Sequence, residues 1–147
     1  MPLLHRQFYL YNVILFAIAV CPMATAAPPP PSPENIPGTV KINAEQLIEL
    51  VTEKSDILII DSRIPSDREH GFIEGSVNLP DIDTTCETLA NIIPSYSSPV
   101  IFYCNGPECG RSAVAAKQAL NCNFKTIYWF RGGFEEWLSK NYPVIEK

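Results

Sequence analysis

Residues 99–116 read PVIFYCNGPECGRSAVAA, and this stretch decides both the fold and the chemistry expected of the chain. Its segment 100–103 is a short run of β-branched and aromatic residues, which is typical of a buried strand in a parallel sheet. Glycines and a proline within 106–110 interrupt regular structure, and the alanine-rich sequence from Ser112 predicts a helix. The stretch therefore predicts a strand, a loop and a helix, with Cys104 where the strand ends.

A cysteine in this position has the surroundings of a nucleophile. The first N–H groups of a helix and the positive end of its dipole stabilise an anion. Such a site lowers the pKa of a thiol from about 8.5 into the range of roughly 3.5–7.5. This order of elements favours a reactive Cys104 over a cysteine that is simply buried at a strand end. The residues predicted to bind an anionic substrate follow the cysteine directly: Asn105, Gly106, Pro107, Glu108, Cys109, Gly110, Arg111 and Ser112.

The rest of the chain alternates apolar strands with amphipathic helices. Strands are predicted at 40–42, 57–60, 76–79, 100–103 and 126–129, and helices at 44–51, 84–93, 112–120 and 134–140. This pattern predicts an α/β domain with a mainly parallel central sheet of about five strands, flanked by helices on both faces. Ligands bind at the carboxyl ends of such strands, where Asp61 and Cys104 both fall.

The first part of the chain has a different composition. Residues 1–26 have the layout of a signal peptide, with a mostly apolar run over 8–20 and small residues at 24–26. The proline-rich segment 27–38 predicts an extended linker, so the folded domain is expected at 39–147. We expect an exported, periplasmic protein with no stable membrane span after cleavage, and an uncleaved membrane anchor is the alternative.

Charge and cysteine spacing narrow the classes of partner. The formal charge is −5 and no basic cluster is present, which argues against a nucleic-acid partner. The cysteines do not have zinc-site spacing, and we expect neither a metal nor another cofactor. Cys86 and Cys122 are expected to be buried single cysteines. Cys109 is either a small loop residue or a resolving thiol that forms a disulfide with Cys104.

Several charged side chains around the loop are expected to have mainly structural roles. Asp61 is expected to hold the turn at its strand end or to pair with Arg63. Arg131 precedes two glycines at a turn, where an ion-paired or structural arginine is the more common case. Glu108 would repel an anionic donor if it faced the loop centre, so we expect it to point to solvent.

Three stretches carry a family resemblance. The first runs from IIDSR at 59–63 to EHGFIEGSVNLP at 69–80, the second joins FYC at 102–104 to the Arg-Ser pair at 111–112, and the third is WFRGGFEEW at 129–137. In this order and spacing they resemble the single-domain rhodaneses, the thiosulfate sulfurtransferase family, over nearly the whole chain after the linker. The loop that follows the cysteine is longer than in many members of that family, and longer than in the related dual-specificity phosphatases.

The resemblance implies a double-displacement sulfurtransferase. Cys104 would take the outer sulfur of an anionic donor such as thiosulfate, hold it as a persulfide, and pass it to a thiophilic acceptor such as cyanide or a small thiol. Arg111 would bind the oxygens of the donor. Three alternatives stay open at this point: a Cys104/Cys109 thiol-disulfide redox protein, a non-catalytic rhodanese-like binding or regulatory module, and a phosphatase-like enzyme.

Overall fold

The computed structural model describes residues 31–146 of the chain. The predicted signal peptide and the start of the predicted linker lie outside the described residues. Within 31–146, no helix has both the length and the apolar character needed to cross a lipid bilayer.

One sheet forms the centre of the domain, and all its strands are parallel. In the order of the sheet the strands lie β1-β5-β4-β2-β3, which confirms the predicted α/β class and the parallel sheet. All four residues of β4 are buried, as expected for a central strand that is covered on both faces. The strands are β1 (Val40–Ile42), β2 (Leu58–Asp61), β3 (Ser76–Asn78), β4 (Val100–Tyr103) and β5 (Ile127–Phe130).

Helices cover both faces of this sheet. They are α1 (Ala44–Glu53), α2 (Pro65–Arg68), α3 (Cys86–Ile92), α4 (Arg111–Asn121) and α5 (Gly133–Ser139), with a 3₁₀ turn at Asp81–Asp83. One apolar cluster joins α3 and α4 to the side chains of Phe102 and Trp129. The other joins α1 and α5 to Ile101 and Tyr103. Alternate residues of β4 therefore point into two separate cores, as the pleat of a strand requires.

Side-chain caps fix where the helices begin. The Asn43 side chain accepts a hydrogen bond from the Gln46 N–H, and the Gln46 side chain accepts one from the Asn43 N–H. This capping box confirms Asn43 as the predicted cap of α1. A second box, formed by Thr85 and Thr88, starts α3 two residues later than predicted. The short helix α2 was not predicted, because a single turn leaves no periodic pattern in the sequence.

A disulfide joins the two helices on one face of the sheet. Cys86, the first residue of α3, is bonded to Cys122, which caps the carboxyl end of α4, with 5.3 Å between the Cα atoms. The prediction that these cysteines are single is wrong. Cys122 is buried as predicted, whereas Cys86 lies exposed at the surface. The cysteine spacing in the sequence gives no information about which helix ends become neighbours.

The chain just before β1 lies against the domain. Ile36 is 4% exposed and belongs to the apolar cluster under α3 and α4. The Arg131 guanidinium donates to the Pro33 carbonyl oxygen and to a carboxylate oxygen of Glu34, both at 2.8 Å. Arg131 therefore has the ion-pairing role that was expected of it, and it fixes the second half of the predicted linker to the turn after β5.

Candidate functional site

The predicted strand, loop and helix are confirmed around Cys104. The cysteine follows β4 directly and is 1% exposed. Gly110 precedes α4, which begins at Arg111, one residue earlier than predicted. The loop 104–110 thus lies at the carboxyl edge of the sheet and ends at the amino end of an 11-residue helix. This is the edge at which parallel α/β domains bind their ligands.

The turn between β5 and α5 holds the first residues of the loop. The Phe134 N–H donates to the Cys104 carbonyl oxygen at 2.9 Å, and the Glu135 N–H donates to the Asn105 carbonyl oxygen at 2.7 Å. Gly133 has φ +60°, and a Cβ atom at this position would collide with the Cys104 carbonyl oxygen. Only glycine fits here, because the two loops approach each other backbone to backbone.

A buried carboxylate lies at the end of the neighbouring strand. Asp61 is fully buried and accepts hydrogen bonds from Arg63 at 2.7 and 2.9 Å, from Arg68 at 3.0 Å and from the Tyr103 hydroxyl at 2.7 Å. The predicted pairing of Asp61 with Arg63 is confirmed. A buried charge is tolerated only when it is paired and hydrogen-bonded in this way.

The network perturbs the ionisation of two of its members. Burial and the negative charge of Asp61 raise the pKa of the Tyr103 phenol well above its ordinary value. Burial disfavours the charged form of Arg63, but hydrogen bonds and attraction from Asp61 outweigh it and raise the pKa of the guanidinium. Tyr103 therefore acts as a hydrogen-bond donor and Arg63 as a permanent cation.

Asn105 connects this network to the loop. Its side-chain N–H donates to a carboxylate oxygen of Asp67 at 2.9 Å, and its side-chain oxygen accepts from Arg63 at 3.4 Å. The residue next to the candidate nucleophile is thus fixed from two sides. Asn105 was predicted to bind substrate, and its side chain is instead hydrogen-bonded to Asp67 and Arg63.

The loop contains a second disulfide, between Cys104 and Cys109. Their Cα atoms are 6.3 Å apart, and the bond closes a loop with a sequence separation of 5. The Cys109 N–H donates to the Gly106 carbonyl oxygen at 2.9 Å, so a tight turn brings the two cysteines together. Of the two open interpretations of Cys109, the structure supports the thiol partner. A nucleophilic role for Cys104 would require reduction of this bond, since the thiolate is the reactive form.

Of the remaining predicted site residues, Arg111 and Ser112 have partners within the protein, whereas Glu108 faces solvent. Arg111 forms an ion pair with Asp81 at 2.7 Å, so a carboxylate already occupies its guanidinium. The Ser112 hydroxyl oxygen accepts a hydrogen bond from the Trp129 indole N–H at 3.0 Å inside the core. Glu108 is exposed, as expected.

Backbone amides of the loop remain available to a ligand. Among the described residues, the N–H groups of Gly106, Glu108 and Gly110 have no hydrogen-bond acceptor within the protein. A cleft of about 410 Å³ meets the loop at Pro107, and its charged lining residues are Lys41, Arg131 and Glu136. Unpaired amides at the start of a helix can bind an anion.

A rhodanese-like domain model matches residues 43–140. The chain belongs to this family. The match contains every element from α1 to α5, and both the loop and the Asp61 network lie inside it. A relative of comparable length is an uncharacterized protein of Buchnera aphidicola subsp. Baizongia pistaciae (strain Bp), 34% identical over 106 residues, or 71% of each chain.

Solved structures with the same fold carry different descriptions. A thiosulfate sulfurtransferase of Pseudomonas aeruginosa matches with a TM-score of 0.64 and 21% identity over 74% of this chain, which spans only 20% of that protein. A polysulfide-sulfur transferase homodimer of Wolinella succinogenes matches with a TM-score of 0.61 and 25% identity, over 75% of this chain and 80% of that one. A Rhodopseudomonas palustris protein of unknown function, described as a possible tyrosine phosphatase, matches with a TM-score of 0.62 and 26% identity, over 73% and 85%.

Four residues around the rhodanese-like loop were not among those predicted for the site. Arg68 and Tyr103 complete the shell of Asp61, Asp81 neutralises Arg111, and Gly133 admits the loop backbone. The glycine pair after Arg131 was a visible signal of a turn, but it gave no sign of what that turn approaches. Asp81 had no local signal, because it lies 30 residues before Arg111 in the chain. Arg68 lies only seven residues after Asp61, but it belongs to the single-turn helix α2, which leaves no periodic pattern.

Proposed function

We propose that this rhodanese-like protein is a sulfurtransferase that moves a sulfane sulfur from an anionic donor such as thiosulfate to a thiophilic acceptor. One observation carries the proposal. Cys104 lies at the carboxyl end of β4, in a loop whose unpaired amides lead into the amino end of α4. This position combines a potential thiolate with an anion site, and both are needed when the substrate and the nucleophile are negatively charged.

The reaction has two displacement steps once Cys104 is reduced. In the first, the thiolate attacks the outer sulfur of thiosulfate, the sulfur–sulfur bond of the donor breaks, and sulfite leaves with the bonding electron pair. Cys104 then carries a persulfide. In the second step the acceptor attacks the outer sulfur of the persulfide, takes it, and the Cys104 thiolate returns. No general base is required, because the attacking group is already ionised.

Two positive contributions at the start of α4 support the binding of an anion. The dipole of α4 stabilises negative charge within its first turn, at the persulfide as well as at the donor. Arg111 stands in that first turn and supplies a cation for the donor oxygens. Asp81 neutralises this cation in the free protein, so donor and carboxylate compete for the same guanidinium.

The relatives support the class of reaction. Two of the solved structures with this fold are described as a thiosulfate sulfurtransferase and a polysulfide-sulfur transferase. Both descriptions name transfer of sulfur. A third is described as a possible tyrosine phosphatase, and the test below therefore includes a phosphate ester.

We also propose that the protein works in an exported, oxidising compartment. The leader-like sequence of residues 1–26 supports export. The Cys86–Cys122 pair supports an oxidising environment, since stable disulfides are rare where glutathione and thioredoxin keep thiols reduced. Cell fractionation with intact-mass analysis tests this: recovery of the unshortened chain from the cytoplasm would contradict it.

The proposed activity is tested with the reduced protein, thiosulfate and cyanide, by measuring thiocyanate. We expect turnover by the parent chain and none by the Cys104→Ser variant. Cys86→Ala combined with Cys122→Ala is the matched control, because it removes a cysteine pair outside the loop. Hydrolysis of a phosphate ester in place of sulfur transfer would favour the phosphatase-like alternative. Absence of both activities, with no sulfur bound to Cys104 after thiosulfate treatment, would favour a binding module.

A further inference from the structure

We propose a second activity on the same loop: Cys109 releases the transferred sulfur as hydrosulfide and leaves the Cys104–Cys109 disulfide. This inference rests on the proposed function, because the persulfide on Cys104 must form first. It adds a product, sulfide, and a class of partner, a dithiol reductant, that sulfur transfer to cyanide or to a small thiol does not require.

The geometry of the loop points to the sulfur atom that Cys109 attacks. The two Sγ atoms are bonded in the structure, so the turn at Gly106 carries Cys109 to the Sγ atom of Cys104. In a persulfide, that atom is the inner sulfur. Attack at the inner sulfur expels the outer one, whereas attack at the outer sulfur would only move it to Cys109.

The atoms and electrons of this step balance. The Cys109 thiolate forms a bond to the inner sulfur of the Cys104 persulfide, and the bond between the inner and outer sulfur breaks. The outer sulfur leaves with the electron pair and a proton, as hydrosulfide. The two cysteines are oxidised to the disulfide, and the sulfane sulfur is reduced to sulfide.

A dithiol returns the loop to its starting state. Cys104 is 1% exposed, whereas Cys109 is partly exposed, so an external thiol reaches the Cys109 sulfur first. Its attack forms a mixed disulfide with Cys109 and expels Cys104 as a thiolate at the start of α4, where the helix stabilises the leaving group. The second thiol of the dithiol then displaces Cys109. Over the whole cycle, thiosulfate and the dithiol give sulfite, hydrosulfide, the oxidised partner and one proton.

A disulfide that opens in every cycle should not hold the fold together, and the position of this pair meets that condition. The bond lies inside one loop and connects no two helices or strands. The start of the loop is fixed by other contacts, namely the hydrogen bonds from the Phe134 and Glu135 N–H groups to the Cys104 and Asn105 carbonyl oxygens. Reduction therefore frees Cys104 without dismantling its surroundings.

The test is a single turnover of the reduced full chain with thiosulfate, without cyanide or added thiol. Sulfite and sulfide are measured in the solution, and intact mass after alkylation shows the state of the cysteines. For the parent chain we expect one sulfide for each sulfite, with the Cys104–Cys109 disulfide restored. For Cys109→Ser we expect sulfite, no sulfide above the buffer background, and one added sulfur atom retained on Cys104. The Cys86→Ala, Cys122→Ala double variant is expected to match the parent in both products.

The outcomes separate this inference from the function on which it rests. If the parent and Cys109→Ser both retain the added sulfur and neither releases sulfide, the inference is wrong and the sulfurtransferase proposal stands. Migration of the added sulfur to Cys109 would also overturn the inference. If no form of the protein releases sulfite, the proposed function fails and the second activity fails with it. Circular dichroism of Cys109→Ser confirms that a missing sulfide signal does not come from an unfolded variant.

Discussion

The two disulfides within residues 31–146 are chemically identical, and their places in the fold give them opposite consequences. Cys86–Cys122 joins two helices and has a sequence separation of 36, whereas Cys104–Cys109 lies in one loop and has a separation of 5. In the chain-entropy description these separations correspond to about 4 and about 2 kcal/mol of stabilisation. The longer connection therefore supports the fold, and the shorter one can open with a smaller loss of stability.

Helix α4 connects the two regions. Its carboxyl end is bonded to α3 through Cys86–Cys122, which we call the scaffold disulfide, while its amino end follows the loop 104–110. When the Cys104–Cys109 bond is reduced or reformed, the change therefore occurs at one end of α4 while the other end stays bonded to α3. The comparison teaches that the position of a cysteine pair, and not its bond chemistry, separates a disulfide that links two helices from one confined to a single loop.

The largest effect is expected from removing the scaffold disulfide. Cys86→Ala with Cys122→Ala should lower the free energy of unfolding by about 4 kcal/mol, because the unfolded chain regains its loop entropy. Urea denaturation of oxidised protein measures the loss. Cys109→Ser, which opens the short loop, should lose only about 2 kcal/mol under the same conditions. If both variants lose the same free energy of unfolding, the Cys86–Cys122 bond does not stabilise the fold more than the Cys104–Cys109 bond does.

A smaller effect is expected at the base of the loop, in the Asp61 network. Tyr103→Phe removes a hydrogen bond to a buried carboxylate and should cost about 2 kcal/mol at neutral pH. The pKa of Tyr103 is raised in the folded state, so the unfolded chain loses the phenol proton first as the pH rises. The stability of the parent should therefore fall above the ordinary phenol pKa of about 10.

Phenylalanine cannot ionise, so the stability difference between parent and Tyr103→Phe should narrow at alkaline pH. Urea denaturation at a series of pH values measures this difference. Parallel stability curves up to the alkaline limit would show that burial of this phenol does not control the pH dependence.

The next comparison uses two glycines that share a backbone conformation. Gly133 and Gly75 both have positive φ, +60° and +75°, but only a Cβ at Gly133 would meet another backbone segment, at Cys104 and Asn105. Alanine at either position should cost about 1–2 kcal/mol from the left-handed conformation alone. Gly133→Ala should in addition slow sulfur transfer and alkylation of reduced Cys104, because it displaces the loop. If Gly75→Ala slows them equally, the contact with the loop is not the reason.

The smallest effect is expected at the ion pair beside the loop. Asp81→Asn should free Arg111 for the donor and lower the KM for thiosulfate about twofold, as expected for a partly exposed ion pair worth about 0.5 kcal/mol. Asp83→Asn is the control. Asp83 is an exposed acid two residues after Asp81, so this change removes the same charge without touching the ion pair. Steady-state kinetics at low salt measures both. An unchanged or raised KM for Asp81→Asn would show that Arg111 does not bind the donor.

The sequence by itself determined the architecture and the place of Cys104 at a strand end. The run at 100–103 contains only residues suited to a strand that is buried on both faces, and the breakers at 106–110 leave one position, Cys104, at its carboxyl end. The role of Asn43 as a helix cap could also be predicted from the sequence, because a cap and its hydrogen-bond partner lie within one turn of the chain. Each of these signals is local.

Only the tertiary structure decided the partners of the site residues. Asp81 lies 30 residues before Arg111 in the chain, and the Cys86–Cys122 bond spans 36. Neither pairing can be predicted from periodicity or composition, because charge pairing and disulfide formation depend on which ends of strands and helices become neighbours. That arrangement is set by the burial of two apolar faces on one sheet, and it places an unexpected carboxylate beside Arg111 and a second sulfur beside Cys104.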